Sequence, residues 1–200
     1  MRPSSVYGIT KLAQEQMVLT VAKSLGIGAV ALRYQNVYGP GQSLSNPYTG
    51  ILSIFATRIR NGKGISIFED GRESRDFLFV DDAVAATIKA IDFAGPIVAA
   101  VNVGSGRATD VAKIADTLQR LLGVSVPTKV TGQFRVGDIR HNVADLSRIR
   151  SMLGFEPEVS LEDGMRKFVD WVKSEVVQTD SYEESLRQLR DKGLLRSAES

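Results

Sequence analysis

Tyr7 and Lys11 are the residues of this 200-residue sequence whose types and spacing most directly suggest chemistry. They stand four apart in segment 6–25, where Leu12, Met17, Val21 and Leu25 recur at helical spacing. On a helix that spacing puts both side chains on one face. An ammonium beside a phenol favours the phenolate, which makes such a pair a candidate general acid/base for an alcohol or sugar hydroxyl. With five Tyr in the chain, the same spacing also arises as a coincidence on a helix surface, so the pair needs company before it means anything.

Composition removes most other chemistries. There is no cysteine and one histidine, His141, which excludes disulfides, thiolate zinc, Fe–S clusters, a cysteine nucleophile and any two-histidine metal site. No metal is expected, and His141 reads as a surface or hydrogen-bonded residue. Twenty-five Lys+Arg against 23 Asp+Glu leave +2, too little for a sequence-blind binder of nucleic acid or of a membrane surface. A hydrophobic share of 43% is ample for a core in a chain of this length. No apolar run approaches the ~20 residues that span a bilayer. Met1-Arg2-Pro3-Ser4-Ser5 lacks the apolar stretch of a signal peptide, so a cytoplasmic protein is expected. Catalysis would have to come from Tyr, Lys, Ser/Thr, Arg and carboxylates.

The elements that must position these residues alternate between helix and strand, an α/β pattern. Ser4 and Ser5 can cap the 6–25 helix, and Gly26 can stop it. Segment 29–33 (AVALR) reads as a strand. A polar, Gly/Pro-marked loop follows over 34–49, carrying Tyr38 and Tyr48, and a loop of that length in a compact domain points to function. Helices are predicted over 51–60, from Asp81 or Asp82 to 91, over 111–122, 145–153 and 160–173, and over 182–192. Val84, Ile88 and Ile91 form the stripe of the second, Thr109 caps the third, and Ser160 with Asp163 resembles a capping box. Strands are predicted over 65–68, 77–80, 98–103 and 126–130, with 69–72 as a turn between the first two. Phe168 and Trp171 are core-facing, and 196–200 is expected to fray.

Five blocks, in order, resemble the extended short-chain dehydrogenase/reductase family of nucleotide-sugar epimerases and dehydratases. Ser4-Ser5-Val6-Tyr7-Gly8-Ile9-Thr10-Lys11 is similar to its active-site helix, and Leu32-Arg33-Tyr34-Gln35-Asn36-Val37-Tyr38-Gly39-Pro40 to the segment after the next strand. Gly71-Arg72-Glu73-Ser74-Arg75-Asp76-Phe77 with Val80-Asp81-Asp82 resembles its G-x-x-x-R-D-aromatic…V-x-D block. Asn102-Val103-Gly104-Ser105-Gly106 resembles a late strand and turn. Arg135-Val136-Gly137-Asp138-Ile139-Arg140, Ala144-Asp145 and Leu153-Gly154-Phe155-Glu156-Pro157 resemble its ending. Together the blocks cover about residues 3–173. Within the family, 41–50 and 189–194 resemble a dTDP-L-rhamnose 4-epimerase-like group, with UDP-glucose 4-epimerases as the second resemblance and 4,6-dehydratases as a third.

The resemblance implies an incomplete Rossmann-like sheet plus a substrate-binding domain. Residues 1–34 and 98–123 would belong to the NAD-binding part, 35–97 and 124–175 to the nucleotide-sugar-binding part, and 176–200 to a helical tail. It implies NAD as cofactor, a dTDP- or UDP-linked sugar as substrate and a homodimer, with no nucleic-acid or membrane partner. Tyr7 would be the acid/base, and Lys11 and Tyr34 would touch the nicotinamide end. Asn36, Arg75 and Arg135 would hold the diphosphate, Asp138 the ribose, and Ser66 and Phe68 the base. Locally, Asn36 is also compatible with an Asx turn, Arg75-Asp76 with a surface ion pair, and Arg140 with Asp145 as a structural pair. The family's Gly-rich dinucleotide fingerprint has no counterpart. Gly-x-Gly occurs at 26/28, 39/41, 62/64 and 104/106, each time without Gly three residues on. The expectation is therefore the C-terminal part of a 4-epimerase, inactive alone, or a nucleotide-sugar-binding remnant.

Overall fold

The computed structural model describes residues 2–46, 50–93 and 95–197, so Tyr48 lies outside the described residues. In chain order the elements are α1 (Val6–Leu25), β1 (Ala29–Tyr34), β2 (Asn36–Tyr38), α2 (Ile51–Arg60), β3 (Ile65–Ile67), β4 (Ser74–Arg75), β5 (Phe77–Phe79) and α3 (Val80–Ile91). There follow β6 (Val98–Val103), β7 (Thr109–Asp110), α4 (Val111–Leu122), β8 (Thr128–Val130), β9 (Gln133–Arg135), α5 (Ser147–Leu153), α6 (Leu161–Ser174), α7 (Tyr182–Asp191) and β10 (Leu195–Ser197). The α/β class and its parallel pairing are as expected. No helix among the described residues is long and apolar enough to cross a membrane.

Strands pair in twos. β1 runs parallel to β6, from Ala29 opposite Val98 to Tyr34 opposite Val103. β2 is parallel to β5 and β3 to β8, while β4–β7 and β9–β10 are antiparallel. One core packs β6 and β5 against α3 and α5 through Val101, Val103, Leu78, Ala86, Ile149 and Phe155. A second packs α2, α4 and α6 around Tyr38, Phe77 and Phe79. α4, grouped by the resemblance with the dinucleotide-binding part, buries Val111, Ile114, Ala115 and Leu118 in this second core. α3, grouped with the substrate part, packs in the first. Apolar periodicity makes a helix; it does not say which of two neighbouring cores receives it.

Buried carboxylates join the pieces. Asp76, 1% exposed, accepts from Ser105 N (2.7 Å), Ser105 Oγ (2.6 Å), Gly106 N (3.0 Å) and Ala144 N (3.1 Å). One side chain thus ties the junction of β4 and β5 to the turn after β6 and to the approach to α5. The closeness leaves no room for a side chain at Gly104, where a Cβ would collide with Asp76 Oδ2 and come within 2.8 Å of Gln35 Cγ. Asp82 is not the cap of α3; Phe79 occupies that position, and Asp82 instead accepts from Glu158 N (3.0 Å) and Val159 N (3.1 Å) ahead of α6. At the front, Ser5 Oγ accepts from Gly8 N (3.1 Å) as the α1 cap, and Glu15 takes the Arg33 guanidinium in a two-pronged pair at 2.6 Å. That hydrogen-bonded guanidinium holds the Glu15 carboxyl below its ordinary value.

Several expectations are corrected. The 34–49 loop is interrupted by β2, whose Tyr38 is a core residue with its hydroxyl on Leu161 O (3.3 Å). The turn at 69–72 does not close a hairpin, because β3 and β5 pair with β8 and β2. Thr109 does not cap α4; Asp110 holds the cap position, without a side-chain cap bond. Val84, Ile88 and Ile91 face outward on α3, which buries its small residues Ala83 and Ala86 instead. Arg140 pairs with Glu69 and Asp70, not Asp145, which accepts from Ser147 at the start of α5. Arg196 and Ser197 belong to β10 rather than fraying, and the rest of 196–200 lies outside the described residues. The box at α6 is half formed: Ser160 Oγ accepts from Asp163 N at 3.1 Å, while Asp163 Oδ2 takes the Ser160 hydroxyl at 2.5 Å rather than the Ser160 amide.

The Asp76 cluster sets the first prediction. Asp76→Ala leaves three amides and a hydroxyl without their acceptor and should cost ~3–5 kcal/mol of stability, since bonds to a charged acceptor contribute ~1.5–3 kcal/mol each and do not add fully. Asp82→Ala should cost less, about 2 kcal/mol, for two lost amide bonds. Urea denaturation reads both; an Asp76→Ala midpoint near wild type would remove Asp76 as the fold's main tie.

Candidate functional site

A cavity of about 800 Å³ opens between the N-terminus of α1 and strands β2, β3, β4 and β9. Tyr7, Asn36, Ser66, Phe68, Arg75, Arg135 and Asp138 all line it. They arrive from separate elements. β2 carries Asn36 and β3 carries Ser66, with Phe68 just beyond; β4 carries Arg75 and β9 carries Arg135, with Asp138 in the turn after it. The α1 end is fastened to that turn by Ser4 Oγ donating to Gly137 O at 2.8 Å. Gly137 has φ +87, and a Cβ there would sit 2.9 Å from Ser4 O, so glycine permits the approach that places Tyr7 beside Arg135 and Asp138.

Two candidates stand apart. Lys11 is not in the lining; its Nζ lies 5.6 Å from the Tyr7 ring centre and donates to Gln14 Oε1 at 3.1 Å. Tyr34 leaves β1 away from the cavity, its hydroxyl hydrogen-bonded to Thr87 Oγ1 of α3 at 2.5 Å. The Tyr7 ring itself is 71% exposed, at the rim.

The two arginines differ in how they are held. Arg75 Nη1 donates to Ser74 O (3.0 Å) and Arg140 O (2.8 Å), which orients the rest of the fork; Asp76 is turned to the amides described above, so no Arg75–Asp76 ion pair forms. Arg135 lies over the Phe68 ring, 5.5 Å from its centre, and its Nε is buried with no hydrogen-bond partner. A buried guanidinium donor left unpaired is costly.

Three further lining groups were not singled out from sequence. Glu73 is 6% exposed with Oε2 unpartnered, and Gln35 Oε1 and Gln42 Oε1 are likewise buried without partners. Burial pushes the Glu73 carboxyl up, with Glu69 and Asp70 adding to the rise and Arg75 opposing it. Glu73 sits inside the G-x-x-x-R-D block, but nothing in residue type or spacing marks it as facing a cavity rather than solvent. His141 serves structure: its Nδ1 is hydrogen-bonded to Ser74 Oγ at 2.9 Å.

NAD can be tested against these residues. Tyr7 and Lys11, adjacent on one exposed helix face, suit its nicotinamide end. The pyrophosphate needs free backbone N–H groups in a Gly-rich turn at a helix start. In the Gly104-Ser105-Gly106 turn the amides of Ser105 and Gly106 are already given to Asp76. Among the described residues the fit is to one end of the cofactor only.

The wall bearing Arg135 depends on the tail. β9 pairs with β10, Leu195 opposite Arg135, and β10 follows α7. α7 is docked by Arg58 of α2, itself 5% exposed, through Asp180 (3.2 Å), Glu183 (2.9 Å) and the Tyr182 ring 4.6 Å away.

Comparison with known proteins is consistent across three findings. Residues 1–104 match the NAD dependent epimerase/dehydratase family. The chain is 40% identical over 175 residues to a dTDP-L-rhamnose 4-epimerase of Burkholderia thailandensis, covering 88% of this chain and 48% of that protein. It is 31% identical over 175 residues to a UDP-glucuronate 4-epimerase of Thermodesulfobacterium geofontis, covering 87% and 52%. The crystal structure of UDP-glucose 4-epimerase from Thermotoga maritima with UDP-glucose superposes with a TM-score of 0.76 at 35% identity, over 86% of this chain and 54% of that one. The chain spans about half the length of the curated relatives it matches.

The docking of the tail is testable. Arg58→Ala strands a buried carboxylate and should cost about 3 kcal/mol, the lower range for a broken buried pair, because Lys63 also reaches Asp180. Amide exchange should quicken over 182–197 and in β9. Protection unchanged in β9 would show that Arg135 is placed without the tail.

Proposed function

The chain belongs to the NAD dependent epimerase/dehydratase family, and we propose that it carries the substrate-handling half of a nucleotide-sugar 4-epimerase. One observation supports this most: Tyr7, Asn36, Arg75, Arg135 and Asp138, from separate stretches of the chain, line one cavity. In this reading Arg75 and Arg135 take the diphosphate of a dTDP- or UDP-linked sugar, planar forks of donors matched to phosphate oxygens. Asn36 adds an amide to the same group, Asp138 accepts from the ribose, and the Ser66–Phe68 edge meets the base.

Tyr7 stands at the rim, where the sugar attached to that diphosphate would lie. Its hydroxyl takes the proton of the C4 hydroxyl during oxidation and returns it after the 4-keto sugar has presented its other face. Lys11, on the same helix face, favours the ionised phenol that accepts the proton. NAD, when bound, supplies the reversible hydride acceptor for that chemistry. The second reading, a nucleotide-sugar-binding protein without catalysis, is favoured by the Ser105 and Gly106 amides being committed to Asp76. Homodimerisation through α1 is the expected assembly, supported by the exposed Val6, Met17, Val18, Val21 and Leu25 on that helix.

Calorimetric titration with UDP and dTDP tests the site. Arg75→Ala and Arg135→Ala should each weaken binding by ~1.5–3 kcal/mol, the scale of a lost charge-assisted bond. Tyr7→Phe should leave nucleotide affinity nearly unchanged, because it removes a proton carrier and no phosphate contact. Unchanged affinity in both arginine variants would refute the clamp. Light scattering tests assembly, and a monodisperse monomer would count against the α1 interface.

A further inference from the structure

Tyr182 opens α7, in the tail beyond the family blocks, yet it lines the same cavity as Arg135. Resting on the nucleotide-sugar reading above, we infer that Tyr182 is a ligand-contacting residue, its hydroxyl donating to a phosphate oxygen held by Arg135.

Several elements fix the ring. It is 4% exposed and forms a small cluster with Leu186 and Leu195, against which Ile54 and Phe68 pack. Phe68 also lies under the Arg135 guanidinium, and Leu195 stands opposite Arg135 in the β9–β10 pairing. The same two neighbours therefore bring phenol and guanidinium to one corner of the cavity. The Arg58 guanidinium lies over the Tyr182 ring, 4.6 Å from its centre. The main chain is held as well: Tyr182 N donates to Asp180 Oδ1 at 3.0 Å, and Ser185 Oγ donates to Tyr182 O at 2.7 Å. A hydroxyl carried on so fixed a ring loses little freedom when it meets a ligand.

Packing does not account for the hydroxyl. Phenylalanine would fill the same space, and a buried tyrosine hydroxyl ordinarily has a partner. Tyr38 follows that rule, with its hydroxyl on Leu161 O. Among the described residues the Tyr182 hydroxyl has none, and the hydrogen bonds that hold this residue end on its main chain. Burial pushes the Tyr182 phenol up, and of the nearby charges Arg135 opposes the rise most. The hydroxyl therefore lies toward Arg135 and stays a protonated donor near neutral pH. A phenolic donor beside a guanidinium suits a phosphate group, whose oxygens accept from both.

The test is calorimetric titration of the 200-residue chain and its variants with UDP. Tyr182→Phe keeps the ring and removes only the hydroxyl. It should weaken UDP about tenfold, the low end for a hydrogen bond to a charged group. Added to Arg135→Ala, the same change should cost less than about threefold, because contacts to one phosphate are coupled. Its thermal melt and the amide protection of β9 and β10 should match the unmodified chain, which a structural role for the hydroxyl would not allow. Tyr182→Phe binding UDP normally while Arg135→Ala does not would overturn the inference and leave the nucleotide site standing. A full tenfold loss on top of Arg135→Ala, or lost protection in β9, would also overturn it. Failure of UDP to bind the unmodified chain would overturn the site reading and this inference with it.

Discussion

The burial of Asp76 is the constraint on which the rest of this structure depends. Its two oxygens accept from Ser105, Gly106 and Ala144, so three stretches far apart in sequence meet at one carboxylate. Because β4 and β5 meet at this residue, turning Asp76 inward turns its neighbour Arg75 toward the cavity and Phe77 into the second core. Strand geometry alternates side chains between faces, so a single buried anchor settles the direction of the residues on either side. The same carboxylate occupies amides that a phosphate could otherwise use. Fold and ligand preference are thus decided by one set of hydrogen bonds.

The cavity divides into a part that is held firmly and a part that is not. Arg75 is fixed by carbonyls of its own strand and of the chain at Arg140, and that segment is clamped in turn to Glu69 and Asp70. Arg135 rests on Phe68 and on a strand pairing supplied by the last described residues of the chain. Its position rests on Arg58, which is buried against Asp180, Glu183 and the Tyr182 ring. A guanidinium outside the cavity therefore helps to orient one inside it, by way of α7 and β10.

Much of this was legible in the sequence, and the limits have physical causes. Local signals are legible directly: the Ser5 cap, the Gly26 stop, the Ser160 cap, and the alternation of helix and strand are all present. The family blocks named residues that meet in one cavity, because motif residues are kept together by chemistry even when far apart in the chain. Long-range choices were not legible. Asp82 could cap its own helix or reach Glu158 and Val159, and only packing decides for the latter. β10 exists because β9 is there to pair with it. The α3 stripe predicted the wrong buried face because close approach to β5 and β1 favours Ala83 and Ala86 over larger residues. Glu73 was missed for a related reason: burial of a charged residue is a property of its surroundings, not of its type.

Binding and chemistry occupy different environments in this molecule. Of the groups suited to a diphosphate, Asn36, Arg75 and Arg135 are half-buried in the cavity wall. The groups suited to proton transfer, Tyr7 and Lys11, stand on an exposed helix face where water competes for every hydrogen bond. Electrostatic preorganisation strengthens as water is excluded, so the first set can act as it stands while the second gains its full effect only when α1 is covered. Its exposed apolar residues, Val6, Met17, Val18, Val21 and Leu25, are suited to being covered in that way. If the cavity takes a nucleotide-sugar as proposed, recognition of the nucleotide and activation of the sugar are separable properties, the first built into the cavity walls and the second conditional on what packs against α1.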